Sequence, residues 1–519
     1  MKILKSHVCG QWYEPSGGLT ELYDPCTEEP IAAASTEGID FQEALDYART
    51  EGGGALRKMS FVERGAVLEG MYKALLDARE PLIDASLKNT GSTRKDAKFD
   101  VDGATGVLKY YSYLAGKLGD GRILVDGEGT KLGRSARFWG QHVRVPLEGA
   151  AVFINAFNFP LWGFAEKAAA SILAGMPVII KPATSTAFVT EYGFEIMVEA
   201  GAVPDGVASL ISGSAGDLLN RLGSQDVVAF TGSSGTAMKI RSNENLLRSN
   251  TRVNVEADSL NAAVMGADVE PGSEVWKLFL MDVRREVTQK TGQKCTAVRR
   301  IFVPKDKADA VQEELIQSLN EVIVGNPMDS SVTMGPLATA DQLQDTIAGV
   351  TALAAEAVIV HGSGDRVDGV GVDPGKGYFF GTTLLRAEDG RSASGAHERE
   401  VFGPVATILP YDGSPAEAAD LVALGGGCLV TSIYSDDNDY VGEFIAEGGS
   451  HSGRLYLGSE KMAEQAFGSG VVMPQSMHGG PGRAGFGEEL GDLRALNFYT
   501  QRIALQGGHR MIQTLVGEK

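Results

Sequence analysis

From Gly149 onward the chain alternates short, unbroken apolar runs with longer stretches of helical periodicity. Residues 150–154 read as a buried strand and 164–173 as a helix. Strand 177–180 and helix 186–200 repeat the pair, followed by strand 207–211, helix 217–222 and strand 227–230. Another extended stretch ends at 254–256. Strands alternating with helices require crossover connections, which predicts a parallel sheet. A second series begins near Ser259, with helices predicted at 274–288, 307–319 and 339–355 and strands at 300–303, 357–360, 406–409 and 430–434. Residues 123–146 break the rhythm. They are polar, with a candidate strand pair inside 136–145, and 496–505 is a matching extended segment. Two such arms at distant positions suit one small sheet that joins subunits, the plainer alternative being an edge hairpin and a frayed tail.

Size and composition narrow the class. A chain of 519 residues exceeds one ordinary core and predicts at least two domains. It is 43% hydrophobic and 22% charged, which is globular, and its net charge of −20 argues against nucleic acid as a partner. No apolar run reaches the roughly 18 residues of a membrane helix, and no membrane partner is expected. Residues 1–7 turn polar before a signal-peptide core can form. Cys9, Cys26, Cys295 and Cys428 lack the spacing of a metal or disulfide framework, so no metal is expected and reducing cytoplasm is the expected setting.

Three residues then suggest chemistry. Cys295 follows Gly292-Gln293-Lys294, between a helix and a strand. An isolated cysteine is more often a buried structural residue, but a loop at a domain boundary allows both substrate access and thiolate character. Glu256 lies 39 positions upstream, after an extended apolar stretch. It either precedes a helix cap at Asp258-Ser259 or acts as the general base that a thioester needs for hydrolysis. Asn158, in Phe157-Asn158-Phe159-Pro160, is a turn residue by position alone. Its amide would also serve as an oxyanion donor, with the backbone N–H of Cys295 as the second.

A hydride acceptor is then required, yet no GxGxxG follows any strand. Two features stand in for it. Lys181 follows a strand at its carboxyl end, where open sheets bind ligands, and Thr231-Gly232-Ser233 opens a helix in the manner of an anion site.

Phe157-Asn158-Phe159-Pro160, Ile180-Lys181-Pro182-Ala183, Phe230-Thr231-Gly232-Ser233, Glu256, Gly292-Gln293-Lys294-Cys295 and Glu400-Val401-Phe402-Gly403-Pro404 occur in the order of the aldehyde dehydrogenase superfamily, which the chain resembles over nearly its whole length. The resemblance implies an α/β aldehyde dehydrogenase fold with a Rossmann-like cofactor domain (1–122 and 148–258), a catalytic domain (259–490) and bridging or oligomerisation segments (123–147 and 491–519). It makes Cys295 the nucleophile, Glu256 the base and Asn158 the oxyanion donor. Lys181 becomes the adenosine-ribose contact, Ser233 the pyrophosphate contact and Glu400 the nicotinamide-ribose carboxylate, with Phe402 against that ring. Ile154, Ala156, Phe157, Gly213, Phe230, Thr231 and Gly232 complete the expected cofactor set. Thr184 stands where NAD-preferring relatives commonly carry glutamate. A neutral hydroxyl there tolerates a 2′-phosphate, so NADP is expected, with NAD possible. The plainer reading is that Thr184 caps the next helix.

Residues 154–160, 255–261 and 478–485 resemble a narrower group. They are similar to the CoA-semialdehyde dehydrogenase of the benzoyl-CoA oxygenation pathway and to the dehydrogenase half of the bifunctional phenylacetate ring-opening enzyme. The implied substrate is 3,4-dehydroadipyl-CoA semialdehyde or similar, released as the free acid. The alternatives are 3-oxo-5,6-dehydrosuberyl-CoA semialdehyde or a general aldehyde. An acylating dehydrogenase or a non-catalytic binding protein fits less well, because Glu256 and the whole set are present. The expected partners are this small CoA-thioester aldehyde and further copies of the chain, as a homodimer or homotetramer. Two positions depart from the pattern. Phe486 stands where these relatives have glycine, which could alter a substrate-side loop, and Ala237 follows the phosphate turn where glycine is common. Phe157, Phe164 and His478 are candidate lining residues of the substrate tunnel, although a histidine in a glycine-rich turn is usually only a turn residue.

Overall fold

The computed structural model describes residues 1–465 and 467–517. Two seven-stranded sheets dominate it. In the first, Arg252–Ala257, Val227–Gly232, Ala151–Ile154, Val178–Lys181 and Ala208–Leu210 run parallel, and the N-terminal hairpin Ser6–Val8/Gln11–Tyr13 adds antiparallel strands at one edge. In the second the order is Val358–His361, Thr383–Arg386, Val405–Tyr411, Arg300–Pro304, Ala262–Met265, Cys428–Tyr434 and Ser452–Gly458. Strands covered on both faces read as continuous apolar runs, as Ala151–Ile154 and, up to its last residue, Val178–Lys181 do. Helix Trp162–Ala174 is buried at every position except Gly163, because it lies between the first sheet and helices Phe61–Asp77 and Arg94–Leu118.

The third expected sheet exists with different bounds. Phe138–Pro146 is a single strand, not a pair inside 136–145, and its hairpin partner is Leu124–Lys131. Thr500–Gly508 pairs antiparallel along its other edge, from Thr500 opposite Pro146 to Gly508 opposite Phe138. The extended segment therefore begins at Thr500 rather than at 496. Residues Asp492–Asn497 form a 3-10 turn, and Leu496 and Tyr499 are buried in the main core. Glu518 and Lys519, the end of the predicted 491–519 segment, lie outside the described residues. No helix among the described residues is long and apolar enough to cross a membrane.

The expected cap at Asp258-Ser259 does not form. Asp258 takes a left-handed φ of 44°, the chain crosses to the second sheet, and the next element is strand Ala262–Met265. The Asp258 carboxylate instead accepts from Arg483 at 2.7 Å. Phe486 lies in the loop that carries His478. Its side chain is exposed and borders a groove with Arg252, Met477 and Phe498, away from Cys295. Its φ of 82° explains why glycine suits the position.

Candidate active site

The segment leading to Cys295 is unusual backbone. Lys290, Thr291 and Gly292 have φ of 52°, 55° and 66°, three consecutive residues in the left-handed region. Gly292 is obligatory, because a Cβ there would strike the carbonyl of Gly403. Surrounding contacts hold this strained path. Buried Arg299 donates to the carbonyls of Gly292 (2.8 Å), Gly403 (2.8 Å) and Lys294 (3.3 Å), stitching the cysteine loop to the Glu400–Gly403 segment. Asn261 Nδ2 donates to the Cys295 carbonyl at 2.7 Å and the Ala297 carbonyl at 3.0 Å. Lys294 pairs with Glu286 at 2.7 Å, both fully buried. Cys295 is left half-buried, at the junction of two spaces.

One space is a narrow chamber of about 40 Å³ walled by Phe99, Phe159, Trp162 and Val472. The three rings meet edge to face at 5.1–5.9 Å. The other is an open cleft of about 680 Å³ at the carboxyl ends of the first sheet's strands. Cys295, Glu256 and Asn158 line both. Asn158 Nδ2 donates to the Gln293 carbonyl at 3.0 Å, which fixes the amide beside the cysteine loop.

Glu256 is the most tightly controlled group. It is the penultimate residue of strand Arg252–Ala257 and is 3% exposed. His478 Nε2 lies 3.0 Å from its Oε2, while Oε1 is buried without a hydrogen-bond partner among the described residues. Burial would raise the Glu256 pKa, but the charges of His478 and then Lys167 outweigh it and hold the carboxyl well below its ordinary range. His478 moves the other way: burial lowers its pKa, the Glu256 carboxylate overrides that, and the net shift is upward. Burial and the adjacent Glu256 charge raise the Cys295 thiol. Behind this pair, Lys167 lies 3.1 Å from both Glu166 and Glu489. Burial pushes Glu489 up to about 8, so it holds a proton at neutral pH, and a carboxylate oxygen of each of Glu166, Glu256 and Glu489 lies within 4.8 Å of the others.

The cleft contains nearly all the predicted cofactor residues: Ile154, Ala156, Phe157, Lys181, Thr184, Phe230, Thr231, Gly232, Ser233, Glu400 and Phe402. Gly213 is not brought there. It follows strand Ala208–Leu210 and packs against Ser35 and Thr36. Ser233 caps helix Ser234–Arg241, and Ala237 is buried under it. Thr184 caps nothing, and its hydroxyl makes no hydrogen bond among the described residues. Helix Ala187–Glu199 starts after Thr186, whose hydroxyl donates to the Phe157 carbonyl at 3.0 Å. Burial pushes Lys181 down to about 8 and Glu400 up to about 8, the latter despite Arg299 at 3.9 Å. Phe402 meets Phe157 edge to face at 5.8 Å over the Arg299 guanidinium. Among the described residues, Thr231 Oγ1 and Glu400 Oε1 are buried without hydrogen-bond partners, and both residues line the cleft.

Of the candidate tunnel residues only His478 borders the chamber. Phe157 lies in the cleft and Phe164 in the core. Sequence reasoning missed the pairing of His478 with Glu256, the cluster of Lys167, Glu166 and Glu489, and the brace Arg299. The adjacent Glu166 and Lys167 in the otherwise largely apolar helix Trp162–Ala174 were the available signal, since buried charges are rarely placed there without partners.

The sequence profile described as Aldehyde dehydrogenase family matches residues 12–504. The chain is 41% identical over 481 residues to a 3,4-dehydroadipyl-CoA semialdehyde dehydrogenase of Aromatoleum evansii, covering 92% of this chain and 93% of that one. It is 26% identical over 495 residues to 4-trimethylaminobutyraldehyde dehydrogenase of Sus scrofa, covering 94% and 92%. Among solved structures, a 3,6-anhydro-L-galactose dehydrogenase in complex with NAP superposes with a TM-score of 0.84 at 23% identity, over 98% of this chain and 100% of that chain.

Proposed function

The chain belongs to the aldehyde dehydrogenase family, and from that premise we propose that it oxidises a CoA-linked semialdehyde to the free acid, preferring NADP. The observation that carries the reading is that Cys295, Glu256 and Asn158 line both the aromatic chamber and the large cleft. The aldehyde enters by the chamber and the nucleotide occupies the cleft.

The residues then have distinct tasks. Cys295 Sγ adds to the aldehyde carbon, and the Asn158 amide, with the Cys295 backbone N–H, receives the developing oxyanion. A bound nicotinamide supplies the hydride acceptor. Glu256 takes a proton from the water that releases the acid, using the unpartnered Oε1 while His478 holds Oε2. Lys181, Thr184, Ser233, Glu400 and Phe402 hold the nucleotide. The neutral Thr184 hydroxyl and the Lys181 cation near it support tolerance of a 2′-phosphate. The CoA-semialdehyde class is supported by the name of the 41% identical relative and by residues 154–160, 255–261 and 478–485. We further take 1–122 with 148–258 as the cofactor domain, 259–490 as the catalytic domain, and 123–147 with 491–519 as segments that join copies.

The test is a panel of CoA-semialdehydes and free aldehydes with each nucleotide, read as reduced-nucleotide absorbance and followed by product identification. A free carboxylate and a higher kcat/KM for the CoA-linked aldehydes are expected. Equal rates on aldehydes lacking CoA would sink the substrate assignment, and a new thioester product would sink the hydrolytic one.

A further inference from the structure

The charged groups around the nucleophile do more than position a base. One ligand atom each of Cys295, Glu256 and His478 lies within 4.8 Å of the others, and all three residues line the narrow chamber. We propose that Cys295, Glu256 and His478 form a reversible inhibitory site for a soft divalent cation, Zn²⁺, which caps the nucleophile.

The donor set is the first argument. A thiolate, an imidazole and a carboxylate suit Zn²⁺, whereas Mg²⁺ and Ca²⁺ prefer all-oxygen sites. Geometry is the second. Zinc distances of about 2.3 Å to sulfur and about 2.0–2.2 Å to nitrogen and oxygen place tetrahedral ligands about 3.3–3.6 Å apart. Small side-chain rotations bring this trio to that spacing, since Glu256 Oε2 and His478 Nε2 already stand 3.0 Å apart. An independent observation is Glu256 Oε1, buried and without a hydrogen-bond partner among the described residues, on a carboxylate that is 3% exposed. The chamber of about 40 Å³ leaves room for a water as fourth ligand. The other cluster of possible ligands among the described residues, Glu166, Glu256 and Glu489, is all carboxylate and lacks the soft donors.

Zinc takes its ligands as thiolate, neutral imidazole and carboxylate, so binding forms Zn–S, Zn–N and Zn–O bonds and displaces the thiol proton. No electron is transferred, so a chelator reverses the block. The same three groups that would hydrolyse a thioester are then occupied, and alkylation of Cys295 is blocked with them.

The experiment titrates the full chain with ZnCl₂ against a chromophoric chelator, without aldehyde or nucleotide. One ion per chain with a Kd below about 1 µM, release of protons on binding, and protection of Cys295 from iodoacetamide are expected. CoCl₂ should give a thiolate charge-transfer band that Cys295→Ala lacks. His478→Phe, and His478→Gln should the first variant fail to fold, should weaken Zn²⁺ by more than about 100-fold, beyond the cost of losing an outer-shell partner. Failure of the wild type to bind one ion per chain in this range, or His478 variants that bind as tightly as wild type, would overturn the proposal. Neither outcome touches the aldehyde reading, because no substrate is present.

Discussion

His478→Phe offers the sharpest test of how Glu256 is controlled. The imidazole lies 3.0 Å from Oε2 inside a nearly closed site, with side-chain exposures of 5% and 3%. Removing it leaves Lys167 as the cation facing Glu256, with Cys295, Glu166 and Glu489 as the other titratable neighbours. A charge-assisted hydrogen bond contributes roughly 1.5–3 kcal/mol. At about 1.4 kcal/mol per pH unit, its loss should move the acid limb of deacylation up by about 1–2 pH units. The measurement is single-turnover release of the acid from pre-formed acyl-enzyme across pH, wild type against His478→Phe and His478→Gln. Gln retains an amide donor but no charge, so its limb should fall between the other two. An acid limb that stays in place in both folded variants would show that His478 does not control the base.

Stability should follow the same pair with a defined sign. The Glu256 pKa is depressed in the folded state, so its contribution is present above the ordinary carboxylate range and lost as pH falls through the depressed value. The His478 pKa is raised, so its contribution is complete below about 6.5 and lost as pH rises through the raised value. The Tm deficit of His478→Phe should therefore be largest near about pH 5–6.5, where both conditions hold, and smaller at high pH.

Four further outcomes are expected. Glu256→Gln should give a rapid burst of reduced nucleotide and then a slow steady state, with the acyl adduct visible by intact mass; unchanged turnover would remove Glu256 from the mechanism. Thr184→Glu should shift kcat/KM toward NAD⁺ by placing a carboxylate beside a 2′-phosphate, and a wild type already favouring NAD⁺ would refute the NADP reading. Truncation after Tyr499 should yield monomer in sedimentation while keeping the core, because it removes strand Thr500–Gly508 but spares buried Leu496 and Tyr499; an unchanged oligomer would exclude the arm as the contact. Phe486→Gly should raise stability by about 1 kcal/mol, since it relieves a left-handed φ of 82° on an exposed residue, and a denaturant midpoint that falls would refute that account.

The central strands of the two large sheets were legible where they are covered on both faces and so read as an uninterrupted apolar run; the prediction at 227–230 met strand Val227–Gly232, and that at 430–434 met Cys428–Tyr434, whereas the polar hairpin Ser6–Val8/Gln11–Tyr13 and the edge strand Ser452–Gly458 were not predicted. Leu124–Lys131 carried no such signal. It lies on a sheet exposed to solvent in the single chain, and its residues alternate charges with glycines. Nothing about its own burial then announces a strand. Helix 217–222 shrank to the 3-10 turn Leu218–Arg221, since it is too short to favour full α-helical bonding. The site shows the same division. The motifs around Cys295, Glu256 and Asn158 single them out in the sequence, and the structure brings the three to the same two spaces. His478 was not legible, because its role depends on a partner 222 positions away in the chain. Its turn brings it to Glu256 only because Gly485 lets the following loop lie flat against that strand: a Cβ there would strike the Val255 carbonyl. The glycine-rich run at 478–487, which looks like a surface turn when read locally, is the packing that delivers a second charge to the base. A charge buried this deeply is tolerable only with its partner, so the residue that looked incidental is tied to the ionisation of the one that did not.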